Sequence, residues 1–212
     1  MNTIISILVP VFIVIGFIII FQTFLKRSDR ISRLNKESFL EDEQKASFSR
    51  VHTIESSRYI IPNIDNFPIM KENEINNSED EYAYTMQQIA LTKATKVMGH
   101  FEETNLELKK MYGASNLESI IQSEENYNDF FQSLQAWAKA LTEADRKSDA
   151  IKVLEEGLSV GLDFTNSFLL LANLYKESGN KKALIKLLEL TKENKNITIG
   201  KVTTYIENII TK

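Results

Sequence analysis

Few side chains in this 212-residue chain stand at spacings that support chemistry. The two histidines, His52 and His100, have no second ligand at a metal-binding spacing such as HExxH. Each is read as an exposed or boundary histidine. Glu79-Asp80-Glu81 falls where a helix opens, so its negative charge complements the helix dipole and needs no catalytic explanation. Glu102-Glu103 and Glu124-Glu125 are sequence neighbours on helical stretches. Adjacent helical side chains point about 100° apart, which is wrong for a general acid/base pair. There is no glycine-rich phosphate loop. The absence of cysteine removes disulfides, thiolate metal sites and lipidation on Cys, and it fits a reducing compartment. The sequence therefore predicts no enzyme, no catalytic residue, no metal site and no cofactor.

What positions the chain is more legible. Residues 2–25 carry no charged side chain, and 17 of the residues between Ile4 and Leu25 are Ile, Leu, Val or Phe. As a helix the uncharged stretch is about 36 Å long, enough to cross a hydrocarbon core of about 30 Å with some tilt. Pro10 would bend such a helix, and neither GxxxG nor an intramembrane charge suggests more than an anchor. Lys26, Arg27, Arg30, Arg33 and Lys36 follow, opposed only by Asp29. The positive-inside bias then expects the N-terminus outside and the remainder cytoplasmic, at the cell membrane. The alternative, a cleaved signal peptide, lacks a basic start and a small-x-small cleavage site.

The whole chain has net charge −4, so the part beyond this basic flank is more acidic still. That opposes nucleic-acid binding, which wants a basic face. With Gly 7 and Pro 3 in the whole chain, the expected fold class is all-α. Its expected layout is an N-terminal transmembrane helix, a linker and a helical-repeat domain. The boundaries are 1–36 for the anchor with its basic flank, 37–78 for a flexible linker and 79–212 for the domain. Within the linker, the apolar run from Tyr59 to Ile69 contains Pro62 and Pro68, which favour extended backbone before them. It reads as a strap along its own domain, with a partner-binding peptide as the other reading. Ser78-x-x-Glu81, Thr104-x-x-Glu107 and Ser115-x-x-Glu118 each match a capping box. They predict helices over about 79–99, a short one ending at Gly113, and one over about 116–127.

The strongest pattern is a 34-residue self-similarity. Leu134-x2-Trp137-Ala138-x2-Leu141 aligns with Phe168-x2-Leu171-Ala172-x2-Tyr175, and the same offset pairs Asp145 with Gly179, Leu154 with Leu188 and Gly157 with Thr191. This period resembles the tetratricopeptide repeat, with two degenerate repeats at about 131–164 and 165–198. Alanine stands where that family usually has glycine at 138 and 172, Leu184 stands at a small-residue position, and Leu162 and Asn196 replace the closing proline. The resemblance implies an α-solenoid, with the amphipathic segment Ile199, Val202, Ile206 and Ile209/Ile210 as its closing cap. Trp137 is read as core.

The resemblance also implies that successive first helices line a groove for a protein or peptide partner. Gln135, Lys139, Asn173 and Lys176 face that groove in this register, and ammonium and amide donors there would hold a carboxylate. The function expected is a single-pass, membrane-anchored adaptor or scaffold for a protein partner at the cytoplasmic membrane face. The alternative is a structural subunit that self-associates or packs constitutively with another membrane protein, through an apolar patch around Leu169-Leu170. Abundant Ile, Lys and Asn suggest an AT-rich genome, and the source is read as bacterial.

Overall fold

The computed structural model describes residues 32–193 and 200–211. The proposed span between Ile4 and Leu25, the basic residues from Lys26 to Arg30, Asn196 and Ile199 lie outside these. No helix among the described residues is long and apolar enough to cross a membrane. The fold is all-α. Helix α1 covers residues 32–47, followed by α2 (Ser78–Ala94), α3 (Asn105–Tyr112), α4 (Leu117–Glu143), α5 (Lys147–Ser159), α6 (Thr165–Glu177), α7 (Lys181–Glu193) and α8 (Gly200–Ile210). Two short strands, β1 (Tyr59–Ile60) and β2 (Met98–Gly99), pair antiparallel with Tyr59 opposite Gly99. The chain divides into two units, one of residues 32–53 with Glu103–Leu117, the other of Ile54–Glu102 with 118–211.

The first unit corrects one expectation. The 37–78 segment was expected to be flexible from its start, yet α1 is helical to residue 47. Its order comes from tertiary contacts that local periodicity does not reveal. Lys109 and Lys110 of α3 bond Glu43 and Asp42 of α1 at 2.6 and 3.2 Å, and Ala46 is fully buried. The α3 capping box forms as the sequence predicts. Thr104 accepts from the Glu107 N–H, and the Glu107 carboxylate accepts from the Thr104 N–H at 2.8 Å. Gly113 closes the helix with φ 87°, where an added Cβ would sit 3.0 Å from the Val51 backbone.

Three helix boundaries differ from the sequence reading. Asn77, and not Ser78, caps α2, its side chain accepting from the Asp80 N–H at 2.7 Å. The helix stops at Ala94, because Met98 and Gly99 form β2 where helix was expected to residue 99. The expected helix over 116–127 does not end there either. It continues through the first helix of the first repeat as the 27-residue α4. No Gly or Pro interrupts this stretch, and Ile120, Tyr127, Phe130, Phe131, Leu134, Trp137 and Leu141 bury one continuous stripe.

The second unit is built on two helix hairpins. Three of the four boundaries of α6–α7 lie 34 residues after their counterparts in α4–α5, pairing Glu143 with Glu177, Lys147 with Lys181 and Ser159 with Glu193; only the start differs, because α4 begins earlier, at Leu117. Leu134, Trp137, Ala138 and Leu141 are buried, as are their counterparts Phe168, Leu171, Ala172 and Tyr175. Ala150 and Leu184 are both buried at the position where the repeats differ in size. Helix α8 packs on α6 and α7 through Val202 and Ile206.

The apolar run before α2 lies on this unit. Phe67 and Met70 are buried, the Phe67 ring 5.8 Å from that of Trp137. Gln87 on α2 holds the Met70 backbone by both its polar groups, accepting from the N–H at 2.6 Å and donating to the carbonyl at 2.9 Å. Farther along, Arg146 bonds Glu74 at 2.9 Å while also bonding Asp149. Asn66 donates to Glu156 at 3.1 Å. The strap thus spans α2 and the first hairpin, while Ile61 stays 88% exposed.

Candidate functional site

Repetition of the hairpin leaves a hollow between the second helices of the two repeats. A cavity of about 440 Å³ opens between α5 and α7 with α6 as its floor. Leu158, Leu171, Ala183, Leu187 and Leu190 supply its apolar lining. On α7 the spacing of Ala183, Lys186, Leu187 and Leu190 places all four on one helix face. Three are apolar enough to bury, but only Leu187 reaches full burial, and Leu190 stays 42% exposed. Apolar surface held open in a concave site is what a ligand's own apolar groups would cover.

Polar groups mark two sides of this groove. Tyr175, buried in the floor, donates to Glu155 at 2.6 Å. Its burial, reinforced by that hydrogen bond and the Glu155 charge, pushes the phenol well above its ordinary pKa. The Glu155 carboxylate is thereby engaged within the protein. On the opposite wall stands Lys186, with Lys182 one turn earlier on the same side of α7. Neither lysine forms a salt bridge among the described residues. The groove is thus equipped for aliphatic side chains with a carboxylate beside them.

The residues expected from the sequence lie on other helices. Gln135 and Lys139 are one turn apart on α4, and Asn173 and Lys176 one turn apart on α6. Among the described residues, no hydrogen bond or salt bridge joins the two sets. Lys139 is exposed and reaches Glu143 at 3.8 Å, a solvated pair of little energetic weight. Gln135 is half-buried and Lys176 exposed. Asn173 is different: its Oδ1 accepts a hydrogen bond from Tyr205 of α8. That bond fixes the amide and leaves Nδ2 to donate.

Other features found in the sequence do not form a site. His52 is exposed, and exposed His100 stacks on Tyr127 with ring centroids 5.0 Å apart. Among the described residues, no three metal-ligating side chains gather. Leu169 and Leu170, proposed above as an exposed patch, are half-buried and pack against the core. Helix α6 turns them inward because α7 and α8 both lie on it.

The groove residues of α5 and α7 were missed by sequence reasoning. One signal for them was present: lysines at 181, 182 and 186 crowd the start of α7, where the helix dipole disfavours positive charge. Comparison of the chain with protein-family models, with curated proteins and with solved structures finds no match in any of the three.

Proposed function

We propose that this chain is a single-pass membrane-anchored adaptor whose tetratricopeptide-like helices hold a protein partner at the cytoplasmic face. The observation that carries the reading is the open apolar groove between α5 and α7, lined by Leu158, Leu187 and Leu190 and edged by Lys186. Recurrence of the hairpin at 34 residues supports the repeat assignment, with α8 standing where a third repeat would begin. The uncharged stretch 2–25 with its basic flank supports the anchor and its orientation. On this reading the role is recruitment and not turnover.

The partner presents aliphatic side chains to the groove and a carboxylate to Lys182 and Lys186. The α4/α6 set of Gln135, Lys139, Asn173 and Lys176 is the second surface, favoured by the donor that Tyr205 orients on Asn173. A photo-crosslinking residue at position 190 in one full-length variant, and at 176 in another, separates the two in cells. Capture of the same protein from 190, lost on Lys182→Glu/Lys186→Glu with unchanged melting, supports the α5–α7 groove. Capture from 176 alone moves the site to α4 and α6. A C-terminal tag accessible outside intact cells would overturn the cytoplasmic placement.

A further inference from the structure

The outer face of α2 has no function in the adaptor reading, and its pattern is unusual. Tyr82, Thr85, Ile89 and Thr92 follow one another at intervals of three, four and three, the spacing of a coiled-coil seam. All four are exposed, with Tyr82 at 49% and Ile89 at 41%. The two threonines are less polar than their names suggest. Thr85 Oγ1 donates to the Glu81 carbonyl at 2.9 Å and Thr92 Oγ1 to the Gln88 carbonyl at 2.8 Å. With their hydroxyls satisfied inside the helix, they offer methyl groups to a neighbour.

The surface between them is also shaped for a neighbouring helix. Thr85, Gln88, Ile89 and Thr92 surround a shallow hollow. Four residues at i, i+3, i+4 and i+7 are what form the hole that receives a knob in coiled-coil packing. The opposite face of α2 is already committed, with Ala83, Gln87, Ala90 and Ala94 buried.

Charge selects the occupant. Exposed Glu79 and Glu81 lie in the first turn of α2, while exposed Lys96 follows its last turn, where Lys93 is already paired with Asp129. Reversed end for end, this pattern is complementary to itself. We propose that α2 is a homodimer interface, packing antiparallel against α2 of a second copy of this chain. A two-fold axis on the exposed side of the helix, level with Gln87, sets Tyr82 opposite the second copy's Thr92 and Thr85 opposite its Ile89, and brings Glu81 toward its exposed Lys96. A parallel pair would set acid on acid and lysine on lysine. The seam is short and mixed in polarity, so the contact is a weak one. The interface is separate from the α5–α7 groove and does not depend on its having a partner.

The absence of cysteine makes the test clean, since each introduced thiol is the sole one in its chain. Full-length Thr85→Cys and Ile89→Cys proteins are oxidised mildly in their membranes, each alone and both co-expressed with different tags. A disulfide joining the two tags in preference to either self-pair supports the antiparallel seam. Self-pairs from Ile89→Cys equal to the mixed product would overturn the register. No dimer from any combination would overturn the interface. As a second readout, Ile89→Lys in the untagged full chain weakens self-association by about a hundredfold, because both copies lose a buried aliphatic contact. Unchanged association in that variant, measured by sedimentation in detergent, would also overturn the proposal.

Discussion

Asp145 and Gly179 occupy equivalent places in the two hairpins, and both have left-handed backbones, with φ of 56° and 68°. The bonds around them match as well. The Arg146 N–H reaches back to the Leu141 carbonyl at 2.8 Å, and the Asn180 N–H to the Tyr175 carbonyl at 2.9 Å. Both are Schellman closures, which end a helix only if one residue adopts positive φ. Glycine does this freely, and aspartate tolerates it better than most residues. Asp145→Ala and Gly179→Ala should therefore each cost about 1 kcal/mol, and Gly179→Asp clearly less. Urea unfolding of the three variants checks this. A harmless Gly179→Ala would mean that the hairpin closes in some other way.

Gln87 is a single side chain holding both backbone polar groups of one residue at the end of the strap. Its amide satisfies both the N–H and the carbonyl of Met70, and all three groups are buried. Gln87→Leu keeps much of the volume but strands two buried backbone groups, at a cost of about 2–4 kcal/mol. The loss should appear first as protease sensitivity between Pro62 and Asn77, since the Phe67 contact with Trp137 has then to hold the strap largely alone. Melting and cleavage patterns that match the unaltered protein would show that this clamp contributes little.

The parts of this fold legible in sequence were those with local or repeated signatures. Thr104 and Glu107 announced a capping box, and the 34-residue offset paired Asp145 with Gly179 and placed the buried positions of both hairpins, although not the left-handed backbone that the pair shares. The strap was legible as apolar chain with two prolines, although its fixing by Gln87 and Arg146 was not. Those bonds connect residues 17 and 72 positions apart, and polar side chains do not announce their partners at such distances. The ordering of α1 was hidden for the same reason, since Glu43 meets Lys109 across 66 residues. Of the candidate site, the sequence indicated polar positions on α4 and α6. The α5–α7 groove depends on how neighbouring hairpins splay, which residue spacing alone does not specify.

Alkaline pH should loosen the second unit. Burial, followed by the Asp163 charge, raises the Tyr127 phenol from 10.0 to about 12. Burial and the bond to Glu155 raise Tyr175 as well. A pKa raised by folding gives stability that is complete below the unfolded value near 10. That contribution fades as the pH climbs toward the folded value, because only the unfolded chain ionises easily. The urea midpoint should hold steady up to about pH 10 and then fall toward pH 12. Tyr127→Phe should flatten part of that decline. Simultaneous titration of all tyrosines near pH 10 in the folded protein, followed by phenolate absorbance, would contradict the burial of these two.

Trp137 tests the packing of strap and repeat together. It is fully buried, stacked obliquely near Phe67, and no acceptor among the described residues meets its Nε1. Its contribution must then come from shape and apolar area, not from a hydrogen bond. Trp137→Ala leaves a large cavity beneath the strap and should cost about 3–5 kcal/mol. Trp137→Phe also shrinks the core, but it removes a buried donor that has no acceptor, and the two effects oppose one another. It should therefore cost about 1–2 kcal/mol, well short of the alanine variant. Equal losses for the two substitutions would mean that the indole N–H does find a partner and that hydrogen bonding, and not packing, anchors the strap at this point.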